Sequence, residues 1–320
     1  MNAVRLGTRG SQLALWQARA VGALLGQRGH AVEIIVIKTS GDRLQDSRLA
    51  EVGGKGLFVK EIEEALERGD IDAAVHSAKD MPAVLPGWSV VAAALPREDP
   101  RDALVLPRTP ETVHISEAVA RIGDSPTIGT SSIRRIAQLS MLLPRARFEP
   151  VRGNVDTRLR KLDAGGFDAL VLAAAGMKRL GFSSRITAAI PTADCIPAPG
   201  QGIVAIEVRA DDRRIRSAAE AINDEETAAA LDAERAVVAA LGGGCQLPLG
   251  AIAERDGVDL TLQAIVASID GRRSVKRSVR GPAARPGDLG RRLADELARA
   301  GASAILDGAR AAHRPLEGSY

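Results

Sequence analysis

The 320-residue sequence is poor in aromatic residues and in cysteine, and each shortage excludes a class of protein. Four Phe, two Trp and one Tyr leave few side chains on which nucleic-acid bases could stack. Two cysteines, Cys195 and Cys245, are too few for a disulfide framework. Four scattered His residues and these two distant Cys residues do not have the spacing of metal ligands. We therefore expect neither a metal nor a nucleic-acid partner.

Long apolar runs are also missing from the sequence. No stretch of 18 apolar residues predicts a membrane-spanning helix, and residues 1–10 contain no apolar core of a secretory signal. We expect a cytoplasmic protein that does not bind membranes. Residues 52–56 are rich in glycine but lack the spacing of a nucleotide-binding P-loop, so they predict a mobile lid and no nucleotide.

Arginine, in contrast, is abundant. It supplies 36 of the 43 basic residues, although the net charge is only +3. Between residues 121 and 161, eight Arg and one Lys stand against three acidic residues. A guanidinium group binds carboxylate or phosphate through two parallel hydrogen bonds. The pattern predicts a polyanionic small molecule as ligand, with a high-GC coding bias as the alternative explanation.

Alternating strand and helix patterns predict an α/β fold with parallel sheets. A strand at residues 4–6 is followed by Ser11, which suits the N-cap of a helix from Leu13 to Gln27. Residues 31–38 are rich in β-branched side chains and predict a buried strand of a parallel sheet. A second series of strands and helices starts near residue 127.

Two proline-containing segments, residues 96–107 and 197–202, are interpreted as hinges between two βα lobes. Two crossings between the lobes predict a clamshell with a cleft at the hinge. We place domain 1 at residues 1–98 and 200–222, domain 2 at residues 103–197, and a small α/β domain at residues 223–320.

Arginines occupy the first turns of two predicted helices in the second series. Arg134 and Arg135 follow a Ser-rich cap, and Arg158 lies in the helix opened by Asn154. Positive charge at a helix N-terminus opposes the helix dipole, whereas the free backbone N–H groups there bind anions. The arrangement predicts two anion sites, and solvated charge is the alternative.

The segment from His76 to Pro82 follows a predicted strand. Ligands of open α/β sheets bind at the carboxyl ends of strands. Lys79 could therefore pair with an anion, and Asp80 could accept hydrogen bonds from ligand N–H groups. The alternative is a turn that carries solvated charges.

Three consecutive glycines precede Cys245 and predict a loop that presents the thiol at its tip. Such a thiol serves as a nucleophile, a covalent attachment point or a redox sensor. A small buried cysteine after a helix C-cap is an equally good reading of this stretch alone. Cys195 has no predicted role beyond that of a small buried hydrophobic residue.

Eight phrases in the sequence resemble, in order, the motifs of the porphobilinogen deaminase (hydroxymethylbilane synthase) family. They are Thr8-Arg9-Gly10-Ser11 with Leu13 to Gln17, Gly53 to Phe58, His76 to Asp80, Arg97 to Asp102, Gly129 to Arg135, Arg152-Gly153-Asn154, Gly200-Gln201-Gly202 and Gly242 to Cys245. Each phrase is weak by itself, but the ordered set is specific and covers residues 8 to about 250.

The resemblance implies a three-domain α/β fold whose first two domains are like a type II periplasmic binding protein. It implies a transferase that removes ammonia from porphobilinogen, giving an electrophilic azafulvene, and joins four molecules into hydroxymethylbilane. A dipyrromethane cofactor, bound to Cys245 through a thioether, is the implied primer. The family also suggests a monomer whose product passes to uroporphyrinogen-III synthase.

The resemblance assigns site residues by position. Asp80 is the implied catalytic residue, a carboxylate that nearby arginines keep ionised. Residues implied in cofactor binding are Cys245, Lys79, Asp80, Ser131, Arg134 and Arg135. Residues implied in substrate binding are Arg9, Ser11, Arg152, Arg158, Arg179 and Gln201.

Two other functions fit parts of the sequence. A solute-binding clamshell would also hold a polycarboxylate, although the apparent lack of a signal peptide and the extra cysteine-bearing domain disfavour it. A phosphate- or RNA-binding protein that uses the Arg-rich second domain would show affinity that falls steeply with salt.

Overall fold

The computed structural model describes residues 3–39, 59–108, 111–242 and 247–312. The first part of the chain alternates between strands and helices. In chain order these are β1 (Val4–Thr8), α1 (Gln12–Gln27), β2 (Val32–Val36), α2 (Lys60–Glu67), β3 (Ala73–Ser77) and β4 (Ser89–Ala94). As predicted, the Ser11 side chain caps α1 by accepting a hydrogen bond from the backbone N–H of Ala14.

A second α/β series follows. Its elements are β5 (Asp102–Val105), α3 (Ile115–Arg121), β6 (Thr127–Gly129), α4 (Ile133–Leu142), β7 (Arg147–Glu149), α5 (Val155–Asp163), β8 (Ala169–Ala173), α6 (Ala174–Arg179) and β9 (Ala188–Ala189). Ser132 caps α4 by accepting from the N–H of Arg135, and Asn154 stands at the N-cap of α5, both as predicted.

The chain then returns to the first sheet with β10 (Val204–Arg209) and α7 (Arg213–Glu220). The two five-stranded sheets have the same architecture. Their strand orders are β2-β1-β3-β10-β4 and β7-β6-β8-β5-β9. In each sheet four strands run in one direction, and the remaining strand, β10 or β5, runs antiparallel to both of its neighbours.

The antiparallel strands correct the prediction of purely parallel sheets. The interpretation of all of residues 96–107 as a hinge is also wrong in part. Asp102–Val105 within this segment is a fully buried strand of the second sheet. The expected buried strand at residues 31–38 is instead the edge strand β2, and Val36 is 51% exposed. An edge strand has a neighbour on one side only, and β-branched composition does not reveal that position.

The last part of the chain forms an antiparallel three-stranded sheet covered by helices. Its elements are α8 (Glu225–Ala240), β11 (Leu249–Asp256), β12 (Asp259–Ala267), β13 (Ser274–Pro282), α9 (Pro286–Arg299) and α10 (Ala302–Ala312). Apolar residues from α8, α9 and α10 pack against β11 and β12 in one core. Helix α10 was not predicted from the sequence.

Two α/β lobes and a smaller C-terminal α/β unit thus confirm the predicted fold class. None of the helices in the described part of the chain is long and apolar enough to cross a membrane.

Candidate active site

A cavity of about 700 Å³ lies where the carboxyl ends of parallel strands from the two lobes face each other. From the first lobe it is lined by residues that follow β1 and β3, and from the second by residues that follow β6, β7 and β8. Loops at these strand ends are where α/β proteins bind ligands, and the volume suits a small-molecule ligand. We call this cavity the cleft.

The cleft brings together ten of the residues proposed from the sequence. They are Arg9, Ser11, Lys79, Asp80, Ser131, Arg135, Arg152, Arg158, Arg179 and Gln201. Arg134 does not line the cleft. Cys245 and the predicted lid at residues 52–56 lie outside the described residues.

Arg134 and Arg135 are both paired with the buried carboxylate of Asp102. An Nη atom of Arg134 lies 2.7 Å from one carboxylate oxygen, and Nη2 of Arg135 lies 2.8 Å from the other. Burial by itself would raise the pKa of Asp102, but the two guanidinium charges outweigh it and hold that pKa well below its usual range. The protein therefore supplies its own anion at the start of α4, where the sequence predicted an external one.

Three further cations of the cleft, Lys79, Arg158 and Arg179, have lowered pKa values. Burial lowers the pKa of Lys79, although the negative charge of Asp80 opposes the effect. Burial and the charge of Arg135 lower the pKa of Arg158 to about 10. The guanidinium of Arg179 lies 5.3 Å from the Trp16 ring centroid, and burial lowers the pKa of this group too.

The lowered pKa values indicate that the described residues compensate the charges of these three side chains poorly. A ligand with several carboxylates would supply the missing negative charge. The donor set of the cleft therefore fits a polycarboxylate such as the dipyrromethane implied by the sequence resemblance.

Lys79 lies between the cleft and a second, smaller cavity. Leu247, the first described residue after the segment that carries Cys245, lines a cavity of about 80 Å³ together with Lys79 and Arg134. Lys79 also lines the cleft itself.

Sequence reasoning missed Asp102, which also accepts a hydrogen bond from Nε2 of Gln201 at 3.0 Å. It also missed Gln17, whose Nε2 donates to the Ser77 hydroxyl at 2.9 Å. Both residues lie in the phrases quoted for the family resemblance. Membership of those phrases was the only sequence feature that could have marked them as site residues.

Cys195 is fully buried, as predicted, but its surroundings are polar. Its sulfur lies 3.5 Å from Nη1 of Arg134 and 3.5 Å from Oδ2 of Asp102. Burial raises the pKa of Cys195 to about 12, so the thiol stays protonated. Within the described ranges, no group of three or more His, Cys, Asp and Glu side chains is arranged to hold a metal.

Comparison with known protein families gives two matches along the chain. Residues 4–217 match the model described as porphobilinogen deaminase, dipyrromethane cofactor binding domain. Residues 228–299 match the model of the porphobilinogen deaminase C-terminal domain.

Relatives named porphobilinogen deaminase align with almost the whole chain. The protein of Geotalea uraniireducens is 47% identical over 311 residues, which is 96% of this chain and 94% of the relative. The protein of Geobacter sulfurreducens is 46% identical over 310 residues, again 96% and 94%.

Solved structures that align with part of the chain are more distant in sequence. The VFT2 domain of Bordetella pertussis BvgS is 18% identical, with a TM-score of 0.41 over 69% of this chain and 86% of that domain. A periplasmic substrate-binding protein of an ABC transporter from Coxiella burnetii is 14% identical, with a TM-score of 0.41 over 68% and 91%. On the sequence matches, this chain belongs to the porphobilinogen deaminase family, the transferases that use a dipyrromethane cofactor to polymerise porphobilinogen in tetrapyrrole biosynthesis.

Proposed function

We propose that this chain joins four porphobilinogen molecules head to tail into hydroxymethylbilane in the cleft, releasing ammonia at each step. The single observation that carries the proposal is the set of poorly compensated cations around one carboxylate, Asp80. Each porphobilinogen brings an acetate and a propionate, so a growing chain accumulates negative charge that these cations can neutralise.

The cofactor lies at the Lys79 side of the cleft in this proposal. Cys245 holds it through a thioether, a bond that neither hydrolyses nor undergoes reduction by cytosolic thiols. Lys79, Ser131 and Arg135 bind its carboxylates. Arg134 lines the smaller cavity near Leu247 and not the cleft. Bound dipyrromethane supplies the carbon nucleophile on which the chain starts.

Cations further into the cleft bind the substrate carboxylates. Arg9 and Ser11 approach from the first lobe, and Arg152, Arg158 and Arg179 from the second. Gln201 lies between them in residues 197–202, where the chain passes between the lobes for the second time. Its Nε2 donates hydrogen bonds to the Pro100 carbonyl and to Asp102. Guanidinium groups on both walls orient the substrate, which reduces the entropy that the reaction must lose.

Asp80 acts at the reacting carbon. It ends a short 3₁₀ turn after β3, Ala78–Asp80, which directs its carboxylate to the cleft wall. The carboxylate accepts hydrogen bonds from pyrrole N–H groups and stabilises the positive charge that forms when ammonia leaves. A preorganised group of this kind contributes about 3–4 kcal/mol to catalysis.

We extend the proposal to the chain's organisation and surroundings. The domains are residues 1–98 with 200–222, residues 103–197 and residues 223–320. The protein works as a cytoplasmic monomer and passes hydroxymethylbilane to uroporphyrinogen-III synthase. Support comes from the sequence resemblance and from the three separate sheets.

An intact-protein mass spectrum under denaturing, reducing conditions tests the cofactor assignment. We expect a mass increase of two condensed pyrrole units on the wild-type chain, localised to Cys245, and none on Cys245→Ser. Cys195→Ser is the matched control and should keep the adduct. A wild-type chain that stays unmodified after incubation with porphobilinogen would indicate a binding protein instead.

Asp80→Asn tests the catalytic assignment. We expect kcat to fall by about 10²–10³-fold, since the substitution removes the negative charge and keeps the shape of the side chain. The midpoint of unfolding should stay within about 1 °C of wild type. Exposed Asp211→Asn is the control. Near-normal turnover by Asp80→Asn would remove Asp80 from the mechanism.

A further inference from the structure

Trp16 is a large apolar side chain that lies outside the cores of the lobes. It is 39% exposed, whereas its neighbours Ala14 and Ala18 on α1 are buried. Among the residues that the structure describes, none of the apolar cores includes Trp16. The other tryptophan, Trp88, packs against the core between α2 and β3. Core packing therefore accounts for Trp88 but not for Trp16.

The indole ring of Trp16 contacts the guanidinium of Arg179. The Cζ atom of Arg179 lies 5.3 Å from the ring centroid, within the range of a cation–π interaction. Trp16 belongs to α1 of the first lobe, and Arg179 is the last residue of α6 in the second. One turn earlier on each helix, Leu13 lies beside Gly176, where a Cβ would be 3.6 Å from the Cδ2 atom of Leu13. The contact is therefore part of the boundary between the two lobes.

Arg179 has a second neutral partner. Its Nη2 donates a hydrogen bond of 2.7 Å to the carbonyl of Gly202, on the second crossing between the lobes. A guanidinium carries several N–H donors, so this bond leaves most of them for other partners. Arg179 lines the cleft, where burial lowers its pKa and the charge of Glu98 opposes the effect. The two neutral contacts fix the position of the cation and leave its charge for a ligand.

Arg135, in the same cleft, has a different kind of partner. Its Nη2 is paired with the buried carboxylate of Asp102 at 2.8 Å, and this carboxylate offsets part of its charge. An indole has no net charge and attracts a cation through the electron density of its ring face. Trp16 therefore suits a cation that has to be held in place and still has to bind an anion.

We propose that Trp16 is a positioning residue for substrate binding, and that it acts through Arg179. The indole face holds the guanidinium at the lobe boundary, where Arg179 binds a carboxylate of porphobilinogen or of the growing chain. This inference rests on the proposed function, in which Arg179 is one of the substrate-binding cations. Arg179 belongs to the second lobe, whereas both of its anchors, α1 and the second crossing, lie outside that lobe. Carboxylate binding is thereby coupled to the way in which the lobes meet.

A double-mutant cycle tests whether Trp16 acts through Arg179. We expect Trp16→Leu to raise the KM for porphobilinogen about fivefold, the scale of one cation–π contact at a partly exposed site, with kcat within about twofold of wild type. In an Arg179→Met background the same substitution should change KM by less than about 1.5-fold, because the cation that Trp16 orients is gone. An equal rise of KM in both backgrounds would overturn the proposal.

Trp16→Phe separates the aromatic face from the apolar volume. Phenylalanine keeps a ring face and leucine does not, so we expect the KM of Trp16→Phe to stay within about twofold of wild type. Trp88→Phe is the control and should have wild-type kinetics, because Trp88 is not among the residues that line the cleft. If Trp16→Leu and Trp16→Phe have the same KM, Trp16 only fills space and the proposal is wrong.

Tryptophan fluorescence tests the contact without turnover. Trp88→Phe leaves Trp16 as the single tryptophan of the chain. In that background Arg179→Met should shift the emission maximum, because a positive charge close to the ring face is removed. Arg160→Met is the control and should leave the spectrum unchanged, since the Arg160 side chain is 74% exposed and does not line the cleft. An emission maximum that Arg179→Met does not move contradicts the proposal.

The fluorescence result also decides if Trp16→Leu does not fold, because it requires no substitution of Trp16. The proposed function fails by a different measurement. A wild-type chain that releases no ammonia from porphobilinogen would refute that function, whereas the emission spectra would still decide whether Trp16 contacts Arg179.

Discussion

At the residue scale, Arg158 illustrates a conflict between stability and ligand binding. The pKa of this guanidinium falls from its ordinary value of 12.5 to about 10, because burial and Arg135 both disfavour its charge. A cation with a lowered folded-state pKa destabilises the fold at every pH below that value, and the penalty shrinks as the pH rises from 10 towards 12.5. At neutral pH the full penalty is present.

Arg158→Met should therefore stabilise the protein while impairing function. We expect the free energy of unfolding at pH 7 to rise by about 1–2 kcal/mol, since the pKa shift outweighs the lost hydrogen bond from Nε to the Gly153 carbonyl. The gain should be smaller at pH 10.5. The KM for porphobilinogen should rise about tenfold or more with the loss of a carboxylate-binding group.

Denaturant titrations at both pH values and steady-state kinetics provide the measurements for this variant. Arg160→Met is the control, because Arg160 lies on the same helix but its side chain is 74% exposed. It should change neither stability nor KM appreciably. A destabilised Arg158→Met would mean that the wild-type guanidinium is compensated by a group outside the described residues.

At the element scale, the second crossing between the lobes depends on backbone conformations that only glycine adopts readily. Gly200 and Gly202 have φ values of +74° and +90°. A Cβ on Gly202 would also clash with the carbonyl oxygen of Glu98 on the first crossing. The two crossings are therefore in direct contact. Pro199 restricts the same turn from the other side.

Gly202→Ala should destabilise this crossing. We expect a loss of about 2–4 kcal/mol, since a positive φ and a backbone clash add, together with a lower kcat from the displaced Gln201. Urea unfolding and turnover measure both effects. The control is Gly26→Ala, in α1 with nothing near the new methyl group, which should stabilise the protein by about 0.5–1 kcal/mol. A neutral Gly202→Ala would show that the crossing can shift freely.

At the scale of the whole molecule, Glu234 joins the C-terminal unit to both crossings. It is fully buried on α8, and Oε1 lies 2.5 Å from Nη1 of Arg97 on the first crossing. Oε2 accepts from the Gly200 N–H on the second crossing at 2.6 Å. Oε1 also accepts from the N–H of Ala253 on β11 at 2.8 Å. One carboxylate thus contacts three parts of the molecule.

Glu234→Gln should weaken this junction. We expect a loss of about 3–5 kcal/mol, the cost of leaving the Arg97 charge buried without its partner. Thermal unfolding followed by calorimetry should separate into two transitions as the C-terminal unit uncouples. Exposed Glu226→Gln on the same helix should leave a single transition. A single unshifted transition in Glu234→Gln would show that apolar contacts alone join the units.

The sequence by itself determined the α/β class, the helix caps and most of the cleft residues. Ser11 and Ser132 were identified because N-capping is a local interaction between residues three apart. Asp80 was predicted at a strand end, where ligands of α/β proteins bind, and Arg158 at a helix start, whereas Arg9 was assigned by the family resemblance. Caps and strand ends follow from spacing and chain direction, and the resemblance supplied the remaining cleft residues.

The tertiary structure decided which partner each buried charge has. Asp102 lies 32 residues before Arg134 in sequence, and Glu207 lies 131 residues after His76. No local pattern specifies contacts at such separations, because they depend on which strands become neighbours. The edge position of β2 and the antiparallel direction of β5 and β10 were hidden for the same reason. The sequence shows which residues are charged. Only the assembled strands show which of these charges are paired with one another.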